Sequence, residues 1–262
     1  MTLATVPRYD SDGVSEVGKH AVVVGGSMAG LLAARVLSDA FEKVTIIERD
    51  PMPDEPVARR GVPQSRHIHV LMEAGRATLE DLFPGYCEDL ISAGGLVIDG
   101  VGDVSLYGEG DLLADGPERL PMYCATRPLI EQVFRRRVSN LDRVHVRDNC
   151  QFTDYLVDDV VTTVKGVVVR DEDSDEEEIT ADLVVDATGR TSRTPTWLEE
   201  HGYTPPDVDE VIVDLSYSTA FVERPVNDRR AFMMLPSPPL TRGGVVSPAE
   251  GDRWIVTMAG VH

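Results

Sequence analysis

Lysine is almost missing from this 262-residue chain: Lys19, Lys43 and Lys165 are the only ones, and 25 basic residues face 45 acidic ones for a formal charge of −20. That balance excludes nucleic acid as a partner, because phosphate binding needs a positive surface. Cysteine is also sparse. Cys87, Cys124 and Cys150 are odd in number and widely spaced, which suits neither a disulfide framework nor a zinc cluster, so buried thiols and no metal site are expected. No stretch approaches the roughly 18 apolar residues that a membrane span needs, and residues 1–18 read as a polar leader without an apolar signal core. A soluble cytoplasmic protein with no integral membrane segment is the expectation. Acidity with so little lysine suits a high-salt cytoplasm, where hydrated carboxylates keep the surface solvated and salt screens their repulsion.

What the chain does contain is periodicity. Residues 19–24 form a β-branched run suited to a strand buried on both faces, residues 27–40 a largely buried helix, and residues 44–48 a second strand. Strand, helix and strand in this order make a βαβ unit. After a proline- and arginine-containing loop, residues 50–64, a helix is predicted over 68–83, stopped by Pro84 and Gly85, and a shorter one up to Ala93. Residues 94–121, rich in glycine and aspartate, read as small strands and turns, with one strand at 104–107. Residues 127–140 return to helical spacing, and 144–146 form a short strand. Two strand-like runs, 160–170 and 179–186, flank the acidic stretch 171–178 and predict a hairpin with a charged, solvated tip, which lacks the glycine and terminal glutamate of a calcium loop. From Asp209 onward strands are expected at 211–222, 231–235 and 254–258. The fold class read from this order is α/β: a Rossmann-like nucleotide-binding domain with a mainly parallel sheet, joined to a partial β-rich domain.

Gly25-Gly26-Ser27-Met28-Ala29-Gly30 sits where the first strand becomes the first helix, with Ser27 in place of the middle glycine of G-x-G-x-x-G. Gly25 permits the tight turn, Gly30 lets the helix pack closely on the strand, and free amides at the positive end of the helix dipole suit a pyrophosphate. The small Ser27 side chain is tolerable there, and its hydroxyl is a candidate phosphate contact. Glu48 ends the second strand 23 residues after Gly25, the placement of a carboxylate that accepts hydrogen bonds from a ribose hydroxyl. Its charge disfavours a 2′-phosphate, so an unphosphorylated adenosine half, as in FAD or NAD, is expected.

The words AVVVGGSMAGLLAARVL and VTIIERD, then RRGVPQSRHIH, TRPLIEQVFRRRV and DLVVDATGRTSRTPTWLEEHGY, together resemble the FAD-dependent aromatic hydroxylase-like monooxygenases and their polyene epoxidase relatives, which share the glutathione-reductase-type FAD fold. They span about residues 20–203. The resemblance implies FAD as cofactor and NAD(P)H as co-substrate. It assigns cofactor contacts to the turn residues, to Glu48 and Arg49, to Arg60 in the following loop, and to Arg127 beside the flavin. Asp186, Ala187, Thr188 and Gly189 match the second FAD fingerprint, although Ala187 replaces the glycine of the family's Asp-Gly pair, so no nicotinamide role is carried over to Asp186. Arg59, Gln64, His67 and His69 lie in the loop where the family places groups near the isoalloxazine and the substrate mouth. His67 and His69, two residues apart with no third ligand nearby, read as surface or packing histidines and not as a metal pair.

The family's third fingerprint, a Gly-Asp pair before a proline-containing helix start, has no counterpart, because Gly251-Asp252 stands in a hairpin-like context. The chain resembles the N-terminal part of such an enzyme: FAD-binding segments at 19–95 and 124–205, an excursion into the substrate domain at 96–123, and a partial substrate domain at 206–262. The implied function is a monooxygenase, hydroxylase or epoxidase, using NAD(P)H and oxygen on a small apolar organic substrate. The flavin does the chemistry while the protein orients and excludes water, so no catalytic side chain is named. The alternatives are a flavin-dependent reductase of an isoprenoid-type double bond and a truncated, non-catalytic nucleotide-binding fragment. A C-terminal partner chain is expected if the site is split.

Overall fold

The computed structural model describes residues 8–114, 116, 119–160, 162–171 and 175–261. β1 (Gly18–Val24), α1 (Met28–Ala40) and β2 (Phe41–Ile47) open the fold. A loop with one 3-10 turn, Pro63–Arg66, leads to β3 (Val70–Leu71), α2 (Glu73–Leu82), α3 (Tyr86–Ser92) and four short strands: β4 (Leu96–Asp99), β5 (Val104–Gly108), β6 (Asp111–Leu112) and β7 (Pro121–Cys124). Then come α4 (Arg127–Ser139), β8 (Val144–Arg147), β9 (Cys150–Val157), β10 (Val164–Asp171), β11 (Glu177–Thr180) and β12 (Leu183–Asp186). Helix α5 (Thr194–Glu200) precedes β13 (Leu215–Glu223), β14 (Ala231–Met234), β15 (Arg242–Ala249) and β16 (Arg253–Val261).

A four-stranded parallel sheet, β12-β1-β2-β8, lies at the centre, as the βαβ reading requires. Successive side chains of a strand point to opposite faces, so β1 feeds two cores. Ala21 and Val23 pack with Leu31 and Ala34 of α1 and Leu129, Val133 and Phe134 of α4. Val22 and Val24 pack with Val167 and Val169 of the antiparallel sheet β11-β10-β9 on the other side. Both faces are covered, which is why β1 reads as an unbroken apolar run. Tyr86 stacks on Phe134 at 4.4 Å between ring centroids and Phe83 meets it edge-on, locking α3 to α4. Thr126 caps α4 by accepting from the Leu129 amide, and Arg136 and Arg137 stand in its last turn, where cations suit the helix dipole.

The C-terminal strands form a mixed six-stranded sheet, β13-β16-β15-β14-β5-β6, which draws β5 and β6 away from their chain neighbours β4 and β7. β7 pairs instead with β3 on one side and β4 on the other. Gly251 and Asp252, both at positive φ, make the tip of the β15–β16 hairpin, as their sequence context implied. All three cysteines are free and buried. Among the described residues no helix is long and apolar enough to cross a membrane.

Two predicted elements differ in kind or pairing, and two strands have no counterpart in the sequence reading. The helix expected over 68–83 starts only at Glu73, because Val70 and Leu71 pair with Cys124 and Tyr123 of β7. The strand expected over 179–186 is two strands in different sheets: β11 pairs with β10, and β12 joins β1. The switch is pinned by the Asp182 carboxylate, which accepts from the Lys19 and His20 amides at 2.7 and 3.0 Å. β9 and β15 were not anticipated at all. The hairpin of β10 and β11 is present, while residues 172–174 of its acidic tip lie outside the described residues.

Candidate functional site

The end of β1 turns sharply into α1. Gly25 adopts φ +104°, and a Cβ there would stand 2.7 Å from the Ala187 carbonyl oxygen. The first turn and the second fingerprint therefore touch: the Ala187 amide donates to the Val24 carbonyl at 2.8 Å, and the Gly25 amide to the Ile47 carbonyl at 2.8 Å. Ser27 is the N-cap residue in extended conformation, and its side chain makes no capping bond. The amides of Met28, Ala29 and Gly30, in the first turn of the helix, have no intrahelical acceptor and lie at its positive end.

Behind this turn lies a buried ionic cluster. The Gly26 amide donates to Glu48 Oε2 at 2.7 Å, and the Asp50 amide to Glu48 Oε1 at 2.9 Å. Each carboxylate oxygen keeps a lone pair for a further donor such as a ribose hydroxyl. Arg59, 8% exposed, donates to Glu131 Oε1 through Nε at 2.9 Å and again through Nη2, which also reaches the Gly26 carbonyl at 3.2 Å. Its Nη1 lies 3.2 Å from Glu48 Oε2 but finds no hydrogen bond. Burial works against the Arg59 charge, but pairing with Glu131 and Glu48 outweighs it and holds the guanidinium above its usual pKa. Ser27 donates its hydroxyl to Glu131 Oε2 at 3.1 Å and accepts from Arg127 Nη2 at 3.2 Å, so the hydroxyl expected to face a phosphate is engaged with α4. Arg127 Nε is likewise buried without a hydrogen bond, 3.5 Å from Glu131 Oε2.

Asp186 reaches the same region, but its carboxylate is occupied by its own turn. Thr188 donates through its amide at 2.9 Å and its hydroxyl at 2.6 Å, Ser192 through its hydroxyl at 2.5 Å, and Thr194 through its hydroxyl. Burial raises the Asp186 pKa, yet these hydrogen bonds outweigh it and the carboxyl titrates below the usual range. Ala187 and Thr188 line a cavity of about 610 Å³ that runs from Gly25 and Ser27 past Glu48, Arg49 and Arg59 to Phe152, Tyr155, Trp197 and His201. Its far end is aromatic: Tyr155 meets Trp197 edge-on at 5.1 Å, and His201 stacks on Trp197 at 4.1 Å. Gly189 follows at positive φ in a 3-10 turn.

Not every sequence-predicted residue converges there. Arg60 is exposed and lines a neighbouring cavity of about 550 Å³ with Arg49, Asn149, Gln151 and Arg170; its chain neighbour Arg59 is the one that turns inward. His67 bonds Thr219 at 2.9 Å and packs on Tyr217 at 5.6 Å, joining the loop to the mixed sheet. His69 donates from Nδ1 to the His67 carbonyl; burial lowers its pKa, and the nearby Arg127 charge acts in the same direction. Gln64 lies in the short 3-10 turn of this loop. Glu131 went unnoticed in the sequence, although it stands four residues after Arg127 and three before Phe134, on the helix stripe that turns inward.

Unpaired first-turn amides and two buried guanidinium nitrogens without a hydrogen bond are the donors that a dinucleotide diphosphate needs, and a carboxylate with spare lone pairs is the acceptor that its ribose needs. A sequence model of the family described as FAD binding domain matches residues 19–260. Protein Rv3254 of Mycobacterium tuberculosis is 40% identical over 209 residues, covering 76% of this chain and 44% of that protein, so the chain spans less than half the length of this relative. PqsL, a probable FAD-dependent monooxygenase from Pseudomonas aeruginosa, shares the fold with a TM-score of 0.70 at 14% identity, over 94% of this chain and 61% of its own. The p-nitrophenol 4-monooxygenase PnpA from Pseudomonas putida DLL-E4 gives 0.64 at 19% identity, over 94% and 58%. With the family model extending over nearly its whole length, this chain belongs to the FAD binding domain family.

Proposed function

We propose that the chain holds FAD across the carboxyl ends of its parallel strands and forms the N-terminal part of a monooxygenase acting on a small apolar organic substrate. The observation that carries the reading is the donor set at the first turn, two of whose guanidinium nitrogens are buried without a hydrogen bond. Met28, Ala29 and Gly30 would bind the diphosphate through their amides and Glu48 the ribose, while Arg127 would steer the flavin half. The aromatic end of the cavity, Tyr155 and Trp197, suits the flat adenine ring. Ala187, Thr188 and Gly189 would border the cofactor by their backbone. Arg49, at the rim, would contribute positive charge. Arg60 is assigned no contact in this reading, and Asp186 serves by shaping its turn.

When bound and reduced by NAD(P)H, the flavin supplies the oxygen-activating chemistry, and the chain's own residues bind, orient and exclude water. PqsL and PnpA, whose names state a monooxygenase, support this class, as does the solved complex of PqsL with 2-aminobenzoylacetate, a small aromatic molecule. Segments 19–95 and 124–205 would carry the cofactor. Segments 96–123 and 206–262 would begin the substrate domain, a division supported by β5 and β6 sharing a sheet with β13–β16. That sheet leaves Leu215, Tyr217, Phe221, Val222 and Met258 exposed, which supports a further polypeptide segment, in the same chain or a partner, completing the substrate side. The cytoplasm is the compartment proposed.

The test is titration of the purified chain with FAD, read by quenching of flavin fluorescence and by thermal stabilisation. Saturable one-to-one binding is expected, and no binding even with the complementary C-terminal portion of Protein Rv3254 supplied would sink the proposal. Oxygen consumption that depends on both NAD(P)H and an aromatic substrate would then separate a monooxygenase from a flavin-dependent reductase of an isoprenoid-type double bond.

A further inference from the structure

Glu131 is 4% exposed, yet three arginines face it: Arg59 and Arg127 touch it, Arg135 Nη1 lies 3.9 Å away, and Ser27 donates to it as well. α4 has a cap at Thr126 and an apolar stripe of its own, neither of which involves these contacts. A buried carboxylate costs several kcal/mol in lost hydration unless its partners compensate, so its place at the back of the phosphate turn calls for a reason. Counting formal charges supplies one. Arg59, Arg127 and Arg135 stand against Glu48 and Glu131, which leaves one positive charge in excess at a turn suited to a doubly negative diphosphate.

Resting on the FAD reading above, we propose that Glu131 is a positioning residue and the internal counter-ion of the phosphate turn: its carboxylate fixes Arg59, Arg127 and the Ser27 hydroxyl, and it competes electrostatically with the cofactor's diphosphate for the same guanidinium groups. In the cofactor-free protein Glu131 balances arginines that would otherwise repel one another inside the fold. On binding, the diphosphate and Glu131 share those arginines, and like charges oppose each other through a partly desolvated site. The same contact explains how serine serves where the motif has glycine. With its hydroxyl proton given to Glu131 and a lone pair to Arg127, Ser27 presents no competing group to the diphosphate, and the backbone amides remain the contact surface.

The experiment compares the wild-type chain with Glu131→Gln, which keeps the shape and removes the charge, by calorimetric titration with FAD, ADP and adenosine. Glu131→Gln is expected to melt at a lower temperature without ligand but to bind ADP and FAD on the order of tenfold more tightly, with adenosine, which lacks the diphosphate, unchanged. A purely structural glutamate would lower the melting temperature and leave the ADP-to-adenosine affinity ratio where it was, and that result overturns the inference. Glu131→Asp keeps the charge and is expected to keep the wild-type ratio; a tenfold change there also overturns it. If Glu131→Gln does not fold alone, rescue by ADP but not adenosine supports the counter-ion role, and rescue by both or by neither overturns it. Failure of the wild-type chain to bind either FAD or ADP even with the complementary C-terminal portion supplied refutes the cofactor reading itself, a separate outcome.

Discussion

Gly30 has no room for a side chain: a Cβ built on it stands 1.7 Å from the Gly25 carbonyl oxygen and 3.3 Å from Val23 Cγ1. The obstruction is backbone, which cannot rotate aside, so even alanine must push α1 off β1. Gly30→Ala is expected to destabilise the fold by about 3 kcal/mol and to weaken FAD binding at the same time, because the displaced helix carries the amides. Denaturant unfolding and FAD titration on one sample check both, and intact affinity in a destabilised variant would separate packing from cofactor binding. Asp186 supports a different expectation. Its folded pKa lies below the ordinary carboxylate value, so its hydrogen bonds stabilise the native state above the unfolded pKa, near pH 4, and that contribution is lost as pH falls through the folded value. Asp186→Asn should cost about 2 kcal/mol at pH 7 and converge on the wild type below pH 4. A constant gap measured by unfolding from pH 7 to pH 2.5 would show that the carboxylate charge is irrelevant.

At the scale of elements, legibility follows locality. β1, α1, β2 and Glu48 were readable because strand, glycine turn, helix and acid occur in order, and each step is dictated by its own neighbours. The misplaced elements depend on distant partners. Val70 and Leu71 carry no local mark that separates a helix start from a strand; pairing with β7, some fifty residues away, decides it. The switch of sheets after Thr180 is imposed by the backbone of β1, whose first amides Asp182 caps. In the candidate site the same division holds. The turn and the second fingerprint were visible as motifs, whereas Arg59 and Arg60 are identical in type and adjacent in the chain, so only packing tells which one enters the cluster. Glu131 lay within reach of helical spacing, but an acid on an apolar stripe becomes meaningful only once Arg59 arrives from the loop after β2. The mixed sheet was foreseen as β structure, while its strand order, which reaches back to β5, was not.

The molecule as a whole carries a formal charge of −20 even with its arginines counted, among them Arg35 paired with Asp39 and Arg147 with Asp171. Repulsion among surface carboxylates favours the expanded, unfolded chain, and salt weakens it by shortening the screening length from about 10 Å at 0.1 M to about 3 Å at 1 M. The melting temperature is therefore expected to rise steeply between 0.1 and 1 M potassium chloride. A second influence complicates the reading. The mixed sheet exposes Tyr217, Phe221 and Met258, and strongly excluded salts such as sulfate stabilise any fold by favouring apolar burial. The two causes separate by salt type and by curvature: screening saturates near 1 M and scales with ionic strength whatever the anion, while exclusion keeps growing into the molar range and is stronger for sulfate than for chloride at equal ionic strength. Saturation with coincident chloride and sulfate curves is the outcome that charge repulsion requires. Full stability at 0.1 M would remove the case for adaptation to high salt and leave the acidic surface without that explanation.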